Sequence, residues 1–279
     1  EGDVWDFYAR KRTACACLPI GAVLTIAAAG SEMSNSSVIT NEEGWIKRGY
    51  SSNYCRCRFA VLNPELTCTL PDYQTQCGCV DIMMHTLERY LNHGTNMEIT
   101  DGISEALLKT VIKNARILQD DPQNYEARAE VMWASSLSHN GLTGCGTDGG
   151  DFASHQLEHE LSGMFDVAHG AGLAAVWGSW ARYVYKERPD RFAGLASRVL
   201  MVPEKGSPEE TALAGIEAME DFFRSIGMPV TLKELGIEPT EEQIAKLAEK
   251  CSFANTRTIG IVKKLNREDM AEIYRMARG

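Results

Sequence analysis

Four of the six histidines in this chain fall into two words of helical spacing. Asp81 and His85 stand four apart in CVDIMMHTLERY, and His155, His159 and His169 share SHQLEHELSGMFDVAHG. Residues four apart on an α-helix project from one face about a turn apart, so each pair can aim two groups at one point. A further element carrying His169 can close a cage. A carboxylate with several imidazoles is an oxygen and nitrogen set that suits a first-row divalent ion such as iron, zinc or nickel. Such an ion with an open position can activate water or bind an alcohol oxygen, and the spacing by itself selects neither the metal nor the reaction. A plainer reading competes with the cage: Glu88, Glu158 and Glu160 as i,i+4 partners of these histidines on solvated helix faces. His93 and His139 lie outside the pattern and read as loop or packing residues.

The cage needs helices to hold it, and from Pro71 onward a 3.6-residue period supplies them. The pattern predicts helices over 74–91, 103–118, 125–137, 152–164, 171–185, 191–200, 209–225, 241–251 and 268–277. The first seventy residues read differently. LPIGAVLTIAAAGSE is a compact apolar run, SSVITNEEG a short strand and turn, and RFAVLNPELT a buried strand closed by a proline turn. The boundary falls near 70–73. Residues 141–150, GLTGCGTDGG, are either a mobile connector or a place where backbone passes close to a ligand. A parallel sheet needs crossover helices, and residues 1–70 hold few patterns to supply them, so the head reads as an incomplete α/β unit. The chain opens on Glu1 without a secretory signature and is expected to begin mid-protein.

Composition narrows the partners. With 28 basic and 38 acidic residues the formal charge is −10, a poor match for nucleic acid or an anionic membrane. The longest apolar runs, 18–30 and 170–181, are shorter than a spanning helix needs. Nine cysteines, six of them in C-x-C pairs, make an odd total without an export signal, which places reduced thiols in a cytoplasmic setting. The C-x-C spacing departs from the C-x2-C usual for zinc or clusters, and the thiols read as small buried hydrophobes.

Several words along the chain are shared with a known family. LPIGAVLTIAAAGSEMS, VITNEEGWIK, RFAVLNPELTCTLP, VDIMMHTLERY, NYEARAEVMWASSLSHNGL and DFASHQLEHELSGMFDVAHGAGLA resemble the iron-containing (group III) alcohol dehydrogenases, in their butanol dehydrogenase and aldehyde reductase branch. The likeness runs from about residue 3 to the end and weakens after about 205. It implies a dehydroquinate synthase-like architecture of two domains. Residues 1–72 would be the C-terminal remnant of a Rossmann-like dinucleotide-binding α/β domain, and 73–279 an all-α metal-binding catalytic domain. It also implies Asp81, His85, His155 and His169 as ligands of Fe2+ or Zn2+, with His159 beside them as a substrate or proton-relay residue. NAD(H) or NADP(H) would lie along Thr25, Ala28 to Glu32, Lys47 and Leu62. By spacing alone Lys47 would be an exposed turn residue and Leu62 a core residue.

The chain departs from that family's pattern at Ala29, where threonine is usual, at Asn63, where aspartate is common, and at Cys57, where proline is usual. The first removes a hydroxyl from the cofactor path. The larger departure is the lack of the G-G-G-S word whose turn presents backbone N–H groups to the pyrophosphate. The resemblance therefore implies a family enzyme without its N-terminal portion, holding metal better than dinucleotide. Its expected chemistry is interconversion of small primary alcohols and aldehydes by a homodimer. A metal hydrolase and a non-catalytic metal-binding fragment, self-associating through its sheet edge, are the alternatives. Trp133, Met164 and Phe165 are placed equally well in the core or in a pocket wall.

Overall fold

The computed structural model describes residues 2–147 and 149–279. The head is sparse: one turn of helix, α1 (Trp5–Tyr8), and four short strands, β1 (Gly21–Val23), β2 (Ser36–Asn41), β3 (Ile46–Ser51) and β4 (Phe59–Val61). The SSVITNEEG word forms β2 and its turn, and β2 pairs antiparallel with β3 from Ser36 with Ser51 to Asn41 with Ile46. β1 and β4 pair in parallel, Gly21 with Phe59 to Val23 with Val61. One expectation fails here. The RFAVL strand is not buried, since Phe59 is 64% and Val61 45% exposed. An apolar strand is buried only where a second layer covers it, and this two-stranded sheet has no such layer among the described residues.

The body is helical throughout: α2 (Asp72–Tyr90), α3 (Glu98–Asp120), α4 (Tyr125–His139), α5 (Ala153–Phe165), α6 (His169–Val184), α7 (Pro189–Arg198), α8 (Pro208–Ser225), α9 (Glu241–Cys251) and α10 (Arg267–Ala277). Each lies where the periodicity puts it, with ends shifted by a few residues. Local capping explains four of the starts. Asn124 accepts from Ala127 N and Ser207 from Glu210 N, while Thr240 with Gln243 and Asn266 with Asp269 form capping boxes. The helices α2, α3, α5, α6 and α7 have no side-chain cap, and α5 follows Phe152 in left-handed backbone.

Two helices sit at the centre. Every residue of α2 from Thr75 to Glu88 is buried, and α6 is buried from Gly170 to Ala181. Their close approach depends on glycine. A Cβ at Gly170 would lie 2.0 Å from the Cys77 carbonyl oxygen, and one at Gly78 would lie 2.2 Å from that of Ala27. The first contact seats α6 on α2; the second seats the loop after β1 on the same helix. The cysteines divide: Cys77, Cys79 and Cys251 are buried, as small hydrophobes should be, whereas Cys15, Cys17 and Cys145 are exposed. All nine are free thiols.

Two outcomes follow from this packing. Gly170→Ala forces backbone apart at the crossing of α2 and α6 and should cost about 3 kcal/mol, read as a lower denaturant midpoint. Burial pushes the Cys79 and Cys251 thiols up to about 12, so an alkylating reagent at pH 8 should label Cys15, Cys17 and Cys145 in the folded protein and leave those two untouched.

Candidate metal centre

Asp81 and His85 lie one turn apart on α2, His155 is on the first turn of α5, and His169 opens α6. The fold brings all four together. From Asp81 Oδ1 it is 3.3 Å to His85 Nδ1, 3.5 Å to His155 Nε2 and 3.6 Å to His169 Nε2. Asp81 Oδ1, His85 Nδ1 and His155 Nε2 are buried and have no hydrogen-bond partner. Buried polar atoms in proteins are nearly always paired, so three orphans converging on one point require an explanation. A divalent cation between them satisfies all three with donors it favours, and the residues present therefore fit a metal ion. Electrostatics agree. Burial pushes the Asp81 carboxyl up, but the facing imidazoles of His85, His169 and His155 outweigh it and hold it well below the carboxylate range. Burial also keeps His85 neutral, its pKa lowered well below the usual value despite Asp81. At His155 burial opposes charge, yet Glu88 and Asp81 together raise its pKa to about 10, which marks a position that calls for a cation.

The glutamates prove to belong to the site, not to solvated faces. Glu88, wholly buried on α2, takes His155 Nδ1 through Oε2 and accepts from Ser154 N at 2.7 Å through Oε1. It thus caps α5 in place of the missing local cap and turns His155 Nε2 toward Asp81. Glu158, equally buried, takes His169 Nδ1 in the same way. Carboxylates that fix the far nitrogen of an imidazole set its tautomer and strengthen it as a metal ligand. Glu160 instead pairs with Arg48 at 2.7 Å. Glu158, His159 and His169 also form a compact group, but Glu158 is already committed to His169 Nδ1. His159 stands apart: its ring is 5.6 Å from that of His169 and 6.4 Å from that of His155. Burial and then His169 push its pKa well below the usual value, leaving a neutral imidazole.

His139 is no mere packing residue. Its ring lies 4.1 Å from that of His85, Nε2 is 2.9 Å from Ser36 Oγ on the hairpin, and Arg89 donates to Nδ1 at 3.1 Å. Burial and then Arg89 push it down to about 3. Nothing in its sequence surroundings signals this, since the contact joins residues 103 apart. His93 does pack in a loop, against the carbonyls of Ile261 and Val262.

On the head side, the AAGSE word is pinned to α4: Gly30 N donates to Ser135 Oγ, Ser135 Oγ to the Ala28 carbonyl, and Ser136 Oγ to Glu32. Thr25 and Leu62 sit just beyond the C-terminal ends of the parallel strands β1 and β4. Leu62 is 36% exposed and is not a core residue. Lys47 is not an exposed turn residue; it lies in β3, half-buried, with Nζ donating to Ser162 Oγ at 2.8 Å and 3.6 Å from Glu158. Asn63 caps the turn at Pro64, accepting from Glu65 N. Trp133 is exposed, while Met164 and Phe165 pack against the core.

A cavity of about 940 Å³ lies between head and body. Asp81, His85, His155, His159 and His169 line one side, Lys47 and the β2–β3 hairpin another, with Ala29 and Ser31 of the AAGSE word. Gly141 of the glycine-rich connector also reaches it. Thr25 and Leu62 are not among its lining residues. A carboxylate–imidazole cage opening on a cavity of this size has the form of a catalytic site and not of a structural one, whose ion would be closed off by its ligands.

Comparison with known proteins specifies the kind. Residues 75–278 match the model of the Fe-containing alcohol dehydrogenase family C-terminal region, and residues 1–64 that of iron-containing alcohol dehydrogenase. Probable NADH-dependent butanol dehydrogenase 1 of Bacillus subtilis is 40% identical over 276 residues, which are 99% of this chain and 70% of that protein. NADPH-dependent aldehyde reductase YqhD of Escherichia coli is 33% identical over 94% of this chain and 66% of its own length. The crystal structure of NADH-dependent butanol dehydrogenase A from Thermotoga maritima superposes with a TM-score of 0.95 at 37% identity, covering 100% of this chain and 71% of that one. The chain belongs to the iron-containing alcohol dehydrogenase family and is an oxidoreductase.

The carboxylate–imidazole couples generate a test. Glu88→Gln keeps the size but removes the charge, and should weaken metal binding by about 10- to 100-fold in a chelator competition. Unchanged affinity would show that Glu88 acts only as a helix cap.

Proposed function

We propose that the chain catalyses reversible hydride transfer between small primary alcohols or aldehydes and a nicotinamide cofactor, with Asp81, His85, His155 and His169 holding Fe2+ or Zn2+. The observation that carries this reading is the convergence of orphaned buried donors at the wall of a cavity whose opposite side is the α/β head. In this reading residues 1–72 belong to a Rossmann-like dinucleotide domain and 73–279 form the helical catalytic domain, a dehydroquinate synthase-like arrangement. Ligands in open parallel sheets bind beyond the C-terminal strand ends, which is where Thr25 and Leu62 stand.

A divalent ion so held would supply a Lewis acid that polarises the substrate oxygen. The rest is the work of side chains. Glu88 and Glu158 orient His155 and His169; Lys47, tied to Ser162 and Glu158, holds the hairpin against α5. His159, half-buried and facing the same cavity, carries the proton that leaves the alcohol oxygen as the hydride leaves carbon. The relatives named for butanol and for aldehyde reduction support a small aldehyde as substrate.

Protein loaded anaerobically with Fe2+ or Zn2+ should consume NADH or NADPH when butyraldehyde is added. Metal-dependent ester cleavage without cofactor consumption would identify a hydrolase instead. His155→Ala should lose metal by mass spectrometry, and full occupancy in that variant would show the cage to be wrongly assigned. His159→Ala should keep its metal and lose about 100-fold or more in turnover.

A further inference from the structure

The cavity is far more basic than a small neutral aldehyde requires. Six permanent cations line it, Arg10, Lys47, Arg48, Arg56, Arg89 and Arg257, against two carboxylates, Asp81 and Glu160, in a chain of net charge −10. Both carboxylates are committed, Asp81 to the cage and Glu160 to Arg48. Lys47 faces the buried Glu158. The other four cations have no ion pair among the described residues. Arg56 donates to the Met33 carbonyl and Asn53, Arg89 to the carbonyls of His85 and Ser138 and to His139, and Arg257 to the Cys251 carbonyl. The side chain of Arg10 makes no hydrogen bond within the described residues.

Two of these cations are held in place. The guanidinium groups of Arg257 and Arg48 lie 3.6 and 4.5 Å from the ring centroid of Phe253, which fixes their planes. Phe253, Ala254 and Asn255 all have left-handed backbone, with φ of 50°, 52° and 72°. Three consecutive non-glycine residues in that region are strained, and strain of this kind persists at ligand clamps. Like charges crowded together are also costly. Burial draws the Arg257 pKa down, Cys251 and Glu160 draw it up, and Arg48 and Arg10 draw it down again, to a net lowering. An anion seated among them relieves the crowding of charge.

We propose that this wall seats the carboxylate of a substrate that carries an alcohol or aldehyde at its other end, with Arg257 and Arg10 as the anion's partners and the reacting oxygen at the Asp81 cage. The inference rests on the oxidoreductase reading for the reacting end only. A phosphate of the cofactor offers the same anionic chemistry, and the test separates the two sources.

The probes are 4-hydroxybutyrate and 1-butanol, titrated calorimetrically into the metal-loaded full chain, and NADPH and NADH in a parallel series. The hydroxy acid should bind about tenfold or more tightly than the alcohol, as expected of a charge-assisted guanidinium contact. Arg257→Met and, separately, the solvent-exposed Arg10→Met should each bring the two ligands closer to equal affinity. Equal binding by the unaltered protein overturns the proposal. So does a pair of variants that weaken NADPH relative to NADH and leave the hydroxy acid preference intact, since the arginines then hold a cofactor phosphate. Binding is read without turnover, so a chain that binds the hydroxy acid and fails to reduce aldehyde sinks the activity and leaves this inference standing.

Discussion

A carboxylate removed from water must be met by positive charge or by donors, and at the centre of this molecule that carboxylate is Asp81. Three imidazole nitrogens from three helices face its Oδ1 within 3.6 Å. Two of those nitrogens are themselves buried without partners. The residues present fit a cation there, and much of the helical body holds these four side chains in register.

The same electrostatic requirement recurs one shell outward. Glu88 and Glu158 are buried anions too, and each is answered by the Nδ1 of a cage histidine. Glu158 is further answered by Lys47 from the hairpin, so the charge pattern runs from the head, through α5, to the first residue of α6. Steric fit supports it. Without side chains at Gly170 and Gly78, α6 and the loop after β1 can both rest on α2, which places His169 and the AAGSE word on the same cavity. Head and cage are therefore positioned by one helix, and a hydride donor lying along the head would face the cage directly.

Beyond the cage the cavity changes character. Its outer wall is set by arginines whose partners are carbonyls and an aromatic ring in place of acids. An acidic protein that gathers unpaired cations in a large head–body cavity concentrates its positive potential where a ligand enters.

Much of this was legible in the chain. Nine helices could be placed from the 3.6-residue period, because amphipathic spacing depends on neighbours within a turn. The Asp81–His85 and His155–His159 pairs were legible for the same reason, while His169 entered the ligand set through the family resemblance. The burial of RFAVL was misread, since a strand's apolar character shows that it wants a covering layer and not that it has one. The roles of Glu88 and Glu158 were not legible, the competing reading having set them on solvated faces, and His139 was misread as packing. Their actual partners lie 67, 11 and 103 residues away on other elements. The sequence by itself determined where the helices run and which residue types could hold an ion, because those depend on spacing along one helix. Only the tertiary structure decided which glutamates turn the ligands, which histidine joins the hairpin to the cage, and that the cavity wall is basic. These depend on side chains from distant segments sharing one low-dielectric space, where burial and charge are settled together.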